Sequence, residues 1–216
     1  MSGPLILHGY WRSGTSYRVR IALNLKGLAY EQVGIDLRTG AQAQPEFTAL
    51  NPQGLVPALV TESGVLTQSP AILEWLEEAY PQPPLLPASP FARAEVRAMC
   101  ALIACDVHPL QKLRVLKALR ADYATDEEAV QAWPRRWIES GLQALEQLTE
   151  RRGGAYLFED AISLADVYLT PQLYSAGRFG VDLSPYPRVR AAAERAAENP
   201  AFRRAHPDAQ PDADAV

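Results

Sequence analysis

The chain has 216 residues, 48% hydrophobic and 21% charged, which supplies ample apolar side chain for a core and excludes a disordered or fibrous class. Lys and Arg number 21 against 25 Asp and Glu, a formal charge of -4, so nothing drives the chain as a whole toward nucleic acid or an anionic membrane. Any anion site must be local.

The apolar run Leu5-Ile6-Leu7 predicts a short strand, followed by a Gly/Ser-rich turn. From Thr15, the residues Val19, Ala22, Leu23 and Lys26 recur at helical spacing until Gly27 stops the helix. Tyr30 to Ile35 predicts a second strand, Leu55 to Val60 a third, Ser63-Gly64 a tight turn and Val65-Leu66 a fourth strand hairpinned onto the third. Ser69-Pro70 opens another helix, with Ser as the cap and Pro at a tolerated first position. The order is β-α-β followed by β-β-α.

Pro81 to Pro90 holds five prolines and can continue neither a helix nor a central strand. It reads as a linker over 81–90, dividing a domain at 1–80 from one at 91–216. The second half predicts helices at Phe91 to Val107, Leu110 to Ala121, Asp126 to Thr149 with a kink at Pro134, Leu164 to Phe179 and Pro187 to Glu198. Ser163-Leu164-Ala165-Asp166 fits a capping box. The tail from Pro207 to Val216 is polar and has no apolar face, so it is expected to be loosely held.

Three segments could carry chemistry. In Trp11-Arg12-Ser13-Gly14-Thr15-Ser16, hydroxyls and a Gly lie where a strand runs into a helix, so free N–H groups and the positive helix end converge. An anion would be stabilised there, although Ser13 or Thr15 could equally serve only to cap the helix. Val56-Pro57 places a proline in a strand, either as an edge breaker or as a cis bond that leaves the Val56 backbone open to an extended ligand. Gln68-Ser69 stands at a helix start, where N–H groups are available to a carboxylate or to the cap alone. Cys100 and Cys105 fit neither a zinc knuckle nor a CxxC pair. No stretch reaches the roughly 18 apolar residues of a membrane span. A cytoplasmic protein with no metal and no disulfide is expected.

The first eighty residues resemble the thioredoxin-like domain of the glutathione transferases. Arg12 to Leu23 is similar to the signature helix start of the zeta class, whose members include maleylacetoacetate and maleylpyruvate isomerases. Asn51-Pro52, Val56-Pro57, Gln68-Ser69, His108-Pro109-Leu110-Gln111, Asp166 and Val181 to Pro187 extend the match. Many zeta-class members read Ser-Ser-Cys where this chain has Ser13-Gly14-Thr15, a form similar to the bacterial maleylpyruvate isomerases.

The resemblance implies an α/β thioredoxin-like N-terminal domain joined to an all-α C-terminal domain, a homodimer, and glutathione as cofactor. Carried over by residue, Ser13 donates to the glutathione sulfur with Thr15 beside it, and Gly14 and Ser16 complete the helix start. Val56, with Pro57 in cis, pairs with the cysteinyl backbone. Gln68 and Ser69 hold the γ-glutamyl end, and Gln42 and His108 make further contacts. Arg12, Arg114 and Arg178 are the candidates for a dicarboxylate substrate, meeting in the cleft between the domains, since an Arg fork matches a carboxylate bidentately. The implied reaction is cis–trans isomerisation of a maleyl compound to its fumaryl isomer: a thiolate adds, the former double bond rotates, and elimination returns glutathione. A detoxifying transferase acting on small electrophiles, or a non-catalytic glutathione-binding protein, would share the same site. The residues do not separate maleylacetoacetate from maleylpyruvate.

Overall fold

The computed structural model describes residues 3–214. Strand β1 (Leu5–Gly9) leads into helix α1 (Gly14–Leu25) and strand β2 (Tyr30–Gly34). A short helix α2 (Pro45–Thr48), the hairpin β3 (Ala58–Thr61) and β4 (Gly64–Thr67), and helix α3 (Ser69–Ala79) follow. The sheet order is β2-β1-β3-β4. Strand β1 runs parallel to β2, with Leu7 opposite Gln32, and antiparallel to β3, with Leu7 opposite Leu59. Alternation along β1 buries Leu5, Leu7 and Gly9, and Leu7 and Leu59 join Ile21, Leu23, Ile72 and Leu76 in a core closed to solvent. Helix α1 therefore starts at the end of the central strand with its first turn fixed by the sheet.

The remaining helices are α4 (Pro90–Ala101), α5 (Leu113–Asp122), α6 (Glu127–Arg152), α7 (Leu164–Arg178), α8 (Pro187–Ala197) and α9 (Pro200–Ala205). The helix expected over Phe91 to Val107 is α-helical only to Ala101, then widens into a π-helical turn at Leu102–Val107 and tightens into a 3₁₀ turn at His108–Gln111. Gly141 in α6 makes room for that turn, since a Cβ there would overlap a Val107 methyl. Helix α6 continues through Pro134 as one element. The capping box is present: Asp166 accepts from Ser163 N at 2.9 Å and also from Leu157 N at 2.9 Å. Burial outweighs these bonds and pushes its carboxyl up to about 6.

The chain divides into two compact units, one containing the described residues 3–84 and 198–214, the other Leu85–Ala197. The segment from 198 on, expected with the helical half, thus belongs to the thioredoxin-like unit, where α9 packs on α1. The physical reason is a set of polar ties to α1: Asn24 Nδ2 donates to the Ala201 carbonyl at 3.0 Å and Arg20 Nε to that of Ala205 at 3.0 Å. The tail from Pro207 is likewise not loose up to residue 214, as Asp212 accepts from Trp11 N at 3.0 Å and Gln32 Nε2 at 2.7 Å. Residues 215 and 216 lie outside the described residues. Among the described residues no helix is long and apolar enough to cross a membrane.

Inside the first unit, Lys26 ties the start of the proline segment to α1. Its buried Nζ lies 2.6 Å from Glu77 and donates to the carbonyls of Tyr80 at 2.7 Å and Pro83 at 3.1 Å, so each of its three protons has an acceptor.

Candidate active site

Ser13 is the N-cap of α1, with extended backbone, and its Oγ accepts from Ser16 N at 3.3 Å. Thr15 Oγ1 donates to the Val56 carbonyl at 3.0 Å, and Ser13 Oγ lies 2.9 Å from Thr15 Oγ1. Because a carbonyl can only accept, the Thr15 proton goes to Val56. Ser13 is then the donor to Thr15. Thr15, expected beside Ser13 at the sulfur site, braces the helix start against the loop that carries the cis Val56-Pro57 bond. It also takes one of the two lone pairs of the Val56 carbonyl expected to pair with a ligand.

The loop from Asn51 to Pro57 gathers most of the other expected residues. Asn51 is buried, donates to the Leu55 carbonyl at 2.5 Å and accepts from Gln53 N at 3.1 Å, which fixes the loop. Gly54 has φ +61, and a Cβ there would sit 3.0 Å from the Gln42 carbonyl, so a glycine is needed both for the turn and for the approach of Gln42. Gln53 accepts from the Gln68 amide. Gln68, not Ser69, is the N-cap of α3 and makes no side-chain cap; its φ of 65 is unusual for a residue with a Cβ. Ser69 is the first helical residue, and Pro70 follows with no N–H to cap.

Among the buried polar atoms of this unit without a hydrogen-bond partner are Ser69 Oγ and Gln42 Oε1. Such atoms cost free energy unless something satisfies them, and a polar tripeptide carrying amides and carboxylates has the complementary groups. Arg12, in the turn itself, is half-buried with its guanidinium 5.4 Å from the centre of the Trp11 ring. Gly14 and Ser16 are buried in the first turn of α1, and the Ser16 hydroxyl accepts from Tyr10 N at 3.3 Å.

His108, Arg114 and Arg178 belong to the second unit. His108 follows the π-helical turn. Gln111 Nε2 lies 3.4 Å from its Nδ1 and donates to Gln172 Oε1 at 2.8 Å. An amide nitrogen only donates, so Nδ1 accepts and the neutral ring carries its proton on Nε2. Arg114 on α5 and Arg178 on α7 are exposed, the latter 5.8 Å from the Phe179 ring centre. Cys100 is buried, Cys105 is exposed and both are free thiols.

Sequence reasoning missed the Gln111–Gln172 pair, the role of Gln53 and the tail carboxylate of Asp212. The first was within reach, because Gln172 is a polar side chain at 2% exposure in a helix whose buried residues are mostly apolar. The other two depend on loop and tail packing that carries no periodic signal.

Comparison with known proteins gives a consistent answer. Residues 7–84 match the family model for the glutathione S-transferase N-terminal domain. The chain is 53% identical to the maleylacetoacetate isomerase of Pseudomonas aeruginosa, over 97% of this chain and 99% of that one. The holo structure of a bacterial maleylpyruvate isomerase, described as a zeta-class glutathione S-transferase, superposes with a TM-score of 0.94 at 51% identity, covering 97% and 100% of the two chains. The maleylacetoacetate isomerase of Methylobacterium extorquens AM1, solved with bound malonate and glutathione, also reaches 0.94, at 44% identity and the same coverage.

Proposed function

The chain belongs to the glutathione S-transferase family, and from that we propose that it is a glutathione-dependent isomerase that converts maleylacetoacetate or maleylpyruvate to the fumaryl isomer. The observation that carries the reading is the braced turn: a Ser13 hydroxyl with one proton to give, at the positive end of α1, held beside the backbone of Val56 by Thr15.

Glutathione would be held by Val56 through its backbone, by Gln68 and Ser69 at the γ-glutamyl end, and by Gln42, whose buried oxygen lacks a partner. His108, with a proton on Nε2, is assigned to the same ligand. When bound, glutathione supplies reversible thiolate addition to the activated double bond, through which cis becomes trans and the tripeptide is regenerated. Ser13 favours the thiolate over the thiol by turning its proton from Thr15 to the sulfur, with the helix end adding positive potential. Thr15 accepts the Ser13 proton until the sulfur takes it, and carries no proton to the reaction. Arg12, Arg114 and Arg178 are assigned to the carboxylates of the substrate, where they orient it and stabilise charge that develops away from the double bond. Malonate, the dicarboxylate bound with glutathione in the M. extorquens relative, supports a carboxylate-binding substrate site. The enzyme is further proposed to act in the cytoplasm as a homodimer, as the family resemblance implies.

The test is kcat/KM on maleylacetoacetate, maleylpyruvate and a neutral electrophile, side by side. A preference of about a hundredfold or more for one maleyl compound over the electrophile supports the isomerase. A preference for the electrophile would make it a detoxifying transferase.

A further inference from the structure

The turn that carries Arg12 and Ser13 is gripped from a direction the reaction does not require. The two peptide planes on either side of Trp11 each make a hydrogen bond with a side chain. The Trp11 N–H donates to Asp212 Oδ2 at 3.0 Å, and the Trp11 carbonyl accepts from Arg20 at 2.8 Å. Both ties lead to the C-terminal segment, because Arg20 also donates to the Ala205 carbonyl at 3.0 Å and Asp212 belongs to the tail itself. The other oxygen of Asp212 accepts from Gln32 on β2 at 2.7 Å, so the carboxylate bridges the sheet edge and the turn. Two residues on, Asp214 meets Arg38 at 2.7 Å, and the Arg38 guanidinium lies 6.0 Å from the ring centre of Tyr10, next to Trp11 in the chain.

The space for this contact is itself specific. Gly34, at the end of β2, has an ordinary backbone angle, but a Cβ there would stand 3.1 Å from Asp212 Cβ and 3.3 Å from its Oδ2. A methyl at that position therefore crowds the carboxylate, which must give by a few tenths of an ångström, without altering any donor.

We propose that Asp212 is a positioning residue: the tail carboxylate, seated on Gly34 and shared between Gln32 and the Trp11 N–H, sets the conformation of the turn from which Ser13 and Arg12 reach their ligands. The inference rests on the isomerase reading of that turn. Its physical basis is that the Ser13 hydroxyl can favour a thiolate only over a narrow range of position, and a displacement of about 1 Å is enough to cost a hundredfold in rate. The sheet holds the turn at residue 9, Ser13 N closes it onto the Tyr10 carbonyl at 2.9 Å and Arg20 of α1 holds the Trp11 carbonyl, which leaves the Trp11 N–H as the backbone group that the tail secures.

The test compares wild type with Asp212→Asn, Gln32→Glu and the double variant Gln32→Glu/Asp212→Asn. The double variant exchanges acceptor and donor across the same contact: the amide now on the tail donates to the carboxylate now on β2, and the amide oxygen still accepts from the Trp11 N–H. Two readouts are taken at a temperature where all four proteins are folded, the pH at which bound glutathione ionises and kcat/KM on a maleyl dicarboxylate. Each single variant should raise the ionisation pH and lower kcat/KM by about tenfold. The double variant should return both to within about twofold of wild type. Singles that ionise glutathione like wild type, or a double no better than the singles, would overturn the proposal. Should a single variant fail to fold, Gly34→Ala takes its place and must show the same two shifts. A wild type that binds glutathione as thiolate but turns over no maleyl compound would refute the isomerase reading, and the ionisation series would still judge the tail contact.

Discussion

Replacing Ser13 by Ala removes one hydroxyl that has two separable duties. As the cap of α1 it accepts from Ser16 N at 3.3 Å, and its loss should cost about 0.5–2 kcal/mol of stability. As a donor, its proton already has a neutral acceptor in Thr15 Oγ1 at 2.9 Å. A hydrogen bond to a charged group is worth about 1.5–3 kcal/mol and one between neutral groups about 0.5–1.5. Turning the proton from Thr15 to a thiolate therefore gains roughly 1–2 kcal/mol, the difference between them. At about 1.4 kcal/mol per unit, the pKa of bound glutathione should rise by about one unit in Ser13→Ala. Ser13→Thr keeps both the cap and the proton and should stay near wild type. The assay is the ultraviolet absorbance of the thiolate, titrated on the complex, with affinity measured separately by calorimetry. Affinity should move less than ionisation, because Val56, Gln68 and Ser69, the residues proposed to hold the tripeptide, are unchanged. A Ser13→Ala complex that ionises at the wild-type pH would refute the reasoning.

Three further outcomes are expected. Arg12→Ala, Arg114→Ala and Arg178→Ala should each lower kcat/KM for a maleyl dicarboxylate far more than for a neutral electrophile, and an unchanged ratio removes that arginine from the substrate site. Lys26→Met should cost about 3–5 kcal/mol in urea denaturation, because it leaves the buried Glu77 carboxylate beside a methyl group, and Lys26→Met/Glu77→Leu should recover much of it. Asp166, raised to about 6 from its ordinary 3.8, binds a proton in the folded state that the unfolded chain releases. Its contribution is therefore fully present below about pH 4 and is lost as pH rises through about 6, so wild-type stability measured against Asp166→Asn should fall by about 2–3 kcal/mol from pH 4 to pH 7.

Where local chemistry decides the structure, the residues were legible. Alternation at Leu5 and Leu7, helical spacing from Val19 to Lys26 and the Ser163–Asp166 box each act within a few residues, and each forms as read. The helix start at Ser13 belongs with them, whereas the residues alone left Pro57 open between an edge breaker and the cis bond that forms. What stayed hidden depends on partners distant in sequence. The direction of the Thr15 proton is set by a carbonyl 41 residues away. Asp212 sits in a tail without an apolar face and is tied to Trp11 across 201 residues by hydrogen bonds alone, which hydrophobic patterning cannot register. The same holds for Ser69, where the residue type suits a cap but the positive φ of Gln68 moves the helix start by one position.

Glutathione acts here as a recycled cofactor for isomerisation. The direct measurement is proton NMR of a maleyl dicarboxylate incubated with the enzyme and glutathione at about one hundredth of the substrate concentration. Complete conversion to the trans isomer is expected, with all the glutathione recovered as free thiol. Conversion that stops at one equivalent of glutathione, with the thiol consumed in a stable conjugate, would contradict it.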